Sequence, residues 1–371
     1  MTTRHGRVLA AAGLMALVLS AAACNSSDDN GASPGSTGGE STNNGFKIGL
    51  LLPESKTTRY ETFDRPYIEQ KLKELCPKCE VLYQNADQDP AKQQSQAEAM
   101  LTQGVKVMIL DAVDAKAAGA IVTNAKSQNV PVIAYDRLAE GPVNCYVSFD
   151  NEKVGQTQGQ ALVDALTKGG DPKRGPIVMI NGSPTDPNAA DFKKGAHSAL
   201  DGKVTIGQEY DTPDWSPDQA QTEMQQALTA LGSDKVVGVY AANDGTAGGA
   251  IAAMKGAGVN PVPPTTGQDA ELAAIQRILV GDQYMTVYKA IKPEAETAAE
   301  MAVGVATGAG CGDDAKEKKN NGSVDVPSVL LEPVAVTKDN IKDTVVKDGF
   351  ATPQQICTAP YAAACQAAGI S

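Results

Sequence analysis

Four short polar clusters in the sequence each follow an apolar, strand-like run, and their side chains share one kind of chemistry. Val132-Ile133-Ala134 leads into Tyr135-Asp136-Arg137, and Val236 to Tyr240 leads into Asn243-Asp244. Thr265-Thr266-Gly267 leads into Gln268-Asp269, and Met285 to Tyr288 leads into Lys289. In open α/β sheets, groups just beyond the carboxyl ends of strands face a crevice rather than the core. Carboxylate, amide, guanidinium and ammonium groups gathered there suit holding several hydroxyls by charge-assisted hydrogen bonds. They serve bond cleavage less well. The chain has two histidines, His5 and His197, and the second lies in a Lys-rich helical stretch.

Each cluster also has a purely structural alternative. Asp136 and Arg137 could form a salt bridge closing a strand end. As ligands they supply a bidentate carboxylate and a fork of donors, able to grip two vicinal hydroxyls. Asn243-Asp244 could simply cap a helix beginning at Gly245. The reading adopted is a split, with Asp244 or its neighbour as cap and Asn243 toward the crevice. Asp269 could be only a cap before Ala270-Glu271, and Lys289 a solvated surface lysine. Trp215, the single tryptophan, sits in a loop before a helix rather than on an apolar stripe. A flat ring offered to the C–H face of a pyranose is favoured there over a core position. The glycine-rich run 245–249 lacks the spacing of a dinucleotide or phosphate loop and reads as close helix–strand packing.

The elements that must position these groups alternate. Strand-like runs at Phe46 to Leu52, Glu80 to Tyr83, Val105 to Leu110 and Val130 to Tyr135 are separated by helical stretches at Arg59 to Leu75, Pro90 to Gln103 and Ala115 to Gln128. After a strand at Tyr146 to Phe149 and a crossing helix at Asn151 to Leu166, the pattern restarts at Pro176 and runs to Tyr288. The expected fold class is α/β, with two similar doubly wound parallel-sheet lobes joined by hinge strands and a ligand cleft between them. The boundaries expected are residues 46–154 plus about 290–322 for the N-terminal lobe, and 155–289 plus about 323–371 for the C-terminal lobe. The helix Lys292 to Thr307 and a strand at Ser328 to Leu331 are expected to pass back between lobes, and Cys311 to Ser323 reads as a solvated surface loop.

The ends, charge and cysteines bound where such a protein works. Arg4, His5 and Arg7 precede an apolar segment, Val8 to Leu19, too short to span a bilayer. Ala21-Ala22-Ala23 then leads to Cys24, in the manner of a bacterial lipoprotein signal (residues 1–23) with Cys24 as the lipidated residue. Residues 24–45 are rich in Ser, Gly, Asn and Thr and read as a flexible tether. The expected location is exported and lipid-anchored at the extracytoplasmic face of the cell membrane. A net charge of −12 without a basic stripe argues against nucleic acid as partner. Six cysteines remain beside Cys24, and six allow fifteen pairings. Local spacing favours Cys76 with Cys79 and Cys357 with Cys365, which leaves Cys145 with Cys311. Zinc at Cys76-Pro77-Lys78-Cys79 lacks a second ligand pair, so no metal or cofactor is expected.

Several longer stretches resemble a known family. Val132 to Arg137, Ser148 to Gly155, Gly182 to Asp186, Asn243 to Ile251, Gly267 to Ala270, Met285 to Lys289 and Asn340 to Phe350 look like the D-xylose-binding branch of the type I periplasmic binding proteins. These serve bacterial ABC sugar importers. The similarity runs from about Lys47 to Phe350. It implies ligand contacts at Arg59, Asp136, Arg137, Asn188, Trp215, Asn243, Asp269 and Lys289, with Tyr60 where the family usually has a stacking tryptophan. Residues Glu54 to Thr58 carry about one extra position, and the cysteines and the tail beyond Phe350 depart from the pattern. It further implies a monosaccharide ligand, D-xylose favoured, ABC permease subunits as partners, a monomer, and no enzymatic activity. The rival classes are a secreted carbohydrate-active enzyme using Asp136 and Asp269 as paired carboxylates, and the sugar-sensing half of a repressor. The export signal and the lack of a helix-turn-helix segment weigh against the second.

Overall fold

A computed structural model describes residues 40–370. The signal-like segment and Cys24 lie outside the described residues. The last part of the expected tether is docked: the Glu40 amide donates to the Ala306 carbonyl at 2.8 Å, and its carboxylate lies 3.1 Å from Lys106 Nζ.

In chain order the elements are β1 (Lys47–Leu52), α1 (Arg65–Leu75), β2 (Glu80–Asn85), α2 (Pro90–Thr102), β3 (Val107–Leu110), α3 (Ala118–Ser127), β4 (Val132–Tyr135), β5 (Cys145–Phe149) and α4 (Asn151–Lys168). The second series is β6 (Pro176–Asn181), α5 (Pro187–Leu200), β7 (Thr205–Asp211), α6 (Pro217–Leu231), β8 (Gly238–Ala241), α7 (Asp244–Gly256), α8 (Leu272–Val280) and β9 (Met285–Tyr288). There follow α9 (Ile291–Thr307), β10 (Glu317–Asn320), β11 (Asp325–Leu331), β12 (Val334–Thr337), α10 (Pro353–Ile356) and α11 (Ala362–Ala367).

One sheet has the order β10-β11-β5-β4-β3-β1-β2, parallel except for β10. Its central strands are near-continuous apolar runs because helices cover both faces. Ile48, Ile109, Ile133 and Val147 face one core, and Leu51, Met108, Leu110 and Val132 face the other. The second sheet has β7-β6-β8, extended toward β9-β12 by single bridges from Val239 to Thr265 and from Gln268 to Val287. The chain passes between the two sheets at β5 to α4, at β9 to α9 and at β11 to β12, since α4 packs on β8 and β9 while α9 packs on β3, β4 and β5.

Several expectations need correction. Glu317–Asn320 is a strand, not solvated loop: β10 pairs antiparallel with β11, and Asn321 Nδ2 donates to the carbonyls of Ala139 and Gly141 at 2.9 and 2.7 Å. β11, expected beyond the boundary at about 323, pairs in register with β5 and so lies in the first sheet. Thr265 to Gly267 contributes a single bridge, at Thr265, rather than a strand. The glycine-rich run serves helix–helix packing: a Cβ at Gly249 would meet the Pro217 carbonyl oxygen of α6 at 2.1 Å.

Disulfides join Cys76 to Cys79, Cys145 to Cys311 and Cys357 to Cys365, with Cα separations of 5.3, 5.8 and 5.8 Å. The tail after Phe350 folds onto the second sheet's core. Ile356, Cys365 and Ile370 are buried there, and Gln276 of α8 donates to the Gln355 and Ile356 carbonyls.

Candidate functional site

Strand ends from both sheets open on one cavity enclosing about 270 Å³ of empty space, part of it open to solvent. Arg59 and Tyr60 enter from a wide helical turn after β1, and Asp136 and Arg137 from the end of β4. Asn188 comes from the first turn of α5, Trp215 from a single turn before α6, and Asn243 from the N-cap of α7. Asp269 follows the bridging stretch and Lys289 follows β9. All nine positions singled out in the sequence therefore line the same space.

Their side chains form one buried polar network. Arg59 Nη1 donates to Asp136 Oδ1 at 3.0 Å, and the Tyr60 hydroxyl donates to Asp136 Oδ2 at 3.2 Å. Lys289 Nζ lies 3.1 Å from Asp269 Oδ1 and 3.9 Å from Asp136 Oδ1. Arg137 Nη2 donates to the Tyr60 hydroxyl at 3.1 Å and Nη1 to the Ala112 carbonyl at 3.2 Å, while Nε sits 2.9 Å from Asp186 Oδ2. Burial alone would raise the Asp136 carboxyl, but Arg59, Lys289 and Arg137 outweigh it and hold the group at about 2. Asp136 is thus an ionised acceptor at any physiological pH.

The backbone is strained where the cavity needs it. Asp136, Trp215 and Asp269 have φ of 54°, 53° and 90°, and so do their neighbours Asp214 and Ala270 at 56° and 50°. Positive φ in non-glycine residues is costly and concentrates at ligand sites. Trp215 is held in place by an Nε1 hydrogen bond to Asp186 Oδ2 at 3.0 Å and an edge contact with the Phe192 ring at 6.2 Å. A Cβ at Gly182 would fall 2.0 Å from Trp215 Cη2, so that position has room only for glycine.

The structural alternatives are resolved by these contacts. Asp136 and Arg137 share the Tyr60 hydroxyl but pair with different ions, Arg59 and Asp186, so neither merely neutralises the other. Asn243 is itself the cap: Oδ1 accepts from the Thr246 amide at 2.9 Å while the residue lines the cavity. Asp244 points away and ties loops together, accepting from Gln283 at 2.7 Å, Thr286 at 2.8 Å and the Glu271 amide at 2.9 Å. Asp269 is not the cap of α8, whose N-cap is Glu271. Lys289 is 3% exposed, which removes the solvated-lysine reading. Trp215 is both cavity wall and core, at 5% exposure within a buried cluster.

Thr57, Asp186 and Phe192 also line the cavity and were not singled out, and Gln268, named only within its cluster, lines it too. Phe192 lies one helical turn after Asn188, so the 3.6-residue period would have found it. Gln268 adjoins Asp269, and its Oε1 is buried without a hydrogen-bond partner among the described residues. Such an acceptor calls for a donor such as a ligand hydroxyl. Among the described residues no cluster of three His, Cys, Asp or Glu is arranged to hold a metal, and no helix is long and apolar enough to cross a membrane.

Two sheets with ligand-facing strand ends and three crossing segments define the type I periplasmic binding protein fold. The model of the periplasmic binding protein domain matches residues 48–310, and the chain belongs to this family, as a sugar-binding, extracytoplasmic solute-binding protein of ABC transporters. It is 40% identical to the D-xylose-binding periplasmic protein of Escherichia coli K12 over 310 residues, covering 82% of this chain and 90% of that one. Identity to the multiple sugar-binding periplasmic protein of Azospirillum brasilense is 35% over 329 residues, covering 83% and 90%. An ABC transporter solute-binding protein from Clostridium phytofermentans with bound β-D-glucose superposes with a TM-score of 0.78 at 29% identity, covering 84% of this chain and 99% of that one. These relatives and fold neighbours are binding proteins, not enzymes, and so is this chain.

Proposed function

We propose that the chain captures D-xylose in the cavity between its two sheets, closes around it by hinge motion at the three crossings, and presents it to an ABC permease. The observation that carries this reading is the convergence of Arg59, Asp136, Arg137, Asn188, Trp215, Asn243, Asp269 and Lys289 on one small polar cavity. The 40% identity to a D-xylose-binding protein supports the choice of sugar. The carboxylates are engaged as acceptors rather than as an acid–base pair, with Asp136 on Arg59 and Asp269 beside Lys289. The lobes are taken as the two sheets with their covering helices. Cys24 serves as the lipid anchor, and Cys24→Ser is expected to release the protein from membranes with binding intact; a soluble wild type would rule the anchor out.

A second reading, a broader aldopyranose binder, is favoured by the multiple-sugar relative and by Tyr60 in place of tryptophan. Titration calorimetry with xylose, glucose, arabinose and galactose separates the two. One-to-one binding with xylose at least about tenfold tighter than the rest is expected, equivalent to about 1.4 kcal/mol. Equal affinities would establish the broader reading, and no binding of any of the four would refute both.

A further inference from the structure

Arg59 is gripped by more carboxylates than its charge can balance. Asp64 takes Nε at 3.0 Å and Nη2 at 2.6 Å, Asp136 takes Nη1 at 3.0 Å, and Glu294 Oε2 takes Nη2 at 2.7 Å. Glu294 sits in the first turn of α9, just past the crossing that begins after Lys289. Its side chain is fully buried, and Oε1 has no hydrogen-bond partner among the described residues. Lys289 supplies the other cation, 3.1 Å from Asp269 and 3.9 Å from Asp136. Four carboxylates (Asp64, Asp136, Asp269 and Glu294) thus crowd two cations, Arg59 and Lys289, while a third, Arg137, pulls on Asp136 but is itself spent on Asp186 and Asp111. Fully ionised, the cluster would bury two uncompensated negative charges, which a protein interior resists by keeping a proton.

The groups facing Glu294 show where that proton resides. Arg59 and Asp64 approach from the turn before α1, Asp136 from the end of β4, and Lys289 from the end of β9. Tyr135, also on β4, spends its hydroxyl on Asp64. Burial pushes the Glu294 carboxyl up to about 8, against the pull of Arg59 and with repulsion from Asp136 and Asp64. Asp136, in contact with more cationic charge, is held at about 2.

We propose that Glu294 is a positioning residue of the ligand cavity: it orients Arg59 from behind and carries the proton that lets four carboxylates share two cations. The neutral acid gives Arg59 an acceptor without competing with Asp136 for its charge. Once ionised, Glu294 draws the guanidinium away from Asp136 and loads the cavity with surplus negative charge. The binding arm of this inference rests on the sugar-site reading above; its stability arm does not.

The test compares wild type with Glu294→Gln in two ways. Thermal unfolding without sugar is measured from pH 5 to 9. A carboxyl raised in the folded state keeps a proton that the unfolded chain releases above about 4.3, so wild-type stability falls as pH rises toward 8. The melting-temperature advantage of Glu294→Gln is therefore expected to grow from pH 5 to about 8 and then level. A pH-independent difference would overturn the buried proton. Xylose affinity is then measured by calorimetry at pH 7 and 9. Wild type is expected to weaken by about threefold to tenfold on going to pH 9, and Glu294→Gln to stay within about threefold at both. Glu294→Ala at pH 7 is expected to weaken binding at least about tenfold. Identical pH profiles in wild type and Glu294→Gln would overturn the link to the ligand, and should the alanine variant not fold, this comparison decides alone. If wild type binds no sugar, the site reading fails while the unfolding profile still judges Glu294.

Discussion

Asp136 is the side chain on which the two halves of the cavity meet. Arg59 and Tyr60 reach it from the turn after β1, and Lys289 reaches it from the end of β9. Replacing it with alanine strips Arg59 Nη1 and the Tyr60 hydroxyl of their acceptor and removes an ionised group that sugar hydroxyls would use. Hydrogen bonds to charged groups contribute about 1.5–3 kcal/mol each, so xylose affinity should fall by about tenfold to several hundredfold with the fold kept. Arg137→Ala should do likewise, since it also abandons Asp186. Calorimetry on the two variants checks this; wild-type affinity in either would reduce that residue to a structural tie. At this scale much was legible. Residue types after strand-like runs pointed to Asp136, Arg137, Asn243, Asp269 and Lys289, and the family resemblance added Arg59, Tyr60 and Asn188. Asp64 and Glu294 were not legible. They touch the site only through Arg59, and Glu294 lies 235 residues from it with no local pattern to mark it.

The elements hold these groups by short-range devices that sequence carries well. Asp89, Asp150, Asp186, Ser216 and Asn243 each cap the helix that follows, and proline opens α2, α5 and α6. These signals fix strand-to-helix turns, where the ligand groups sit. β10 escaped because Glu317-Lys318-Lys319-Asn320 has no apolar alternation; it becomes a strand through pairing with β11. The short helices after Phe350 escaped because their order comes from tertiary burial of Ile356, Cys365 and Ile370. None of the six bonded cysteines lines the cavity. Reduction is therefore expected to lower the melting temperature by several degrees while xylose affinity stays within about twofold. Scanning calorimetry and titration with and without reductant measure both, and a large loss of affinity on reduction would show that the disulfides shape the site.

Across the whole molecule, the cavity is assembled from both sheets, and an aromatic contact ties the turn after β1 to the tail and β9 beside it. Phe63, after β1, stacks on Phe350 with ring centroids 4.2 Å apart, and Phe350 meets the Tyr288 ring of β9 at 5.1 Å. Closure over a ligand would bury Trp215 against it, and Trp215 is the single tryptophan of the chain. Its emission therefore comes from one place, a wall of the cavity. The most direct test of a sugar site between the sheets is a fluorescence titration of the intact protein with D-xylose. A saturable change in intensity and emission maximum is expected, with a midpoint matching the calorimetric affinity and shifted to higher sugar concentration in Asp136→Ala. Unchanged emission at sugar concentrations that saturate calorimetric binding would place the ligand elsewhere and contradict the account.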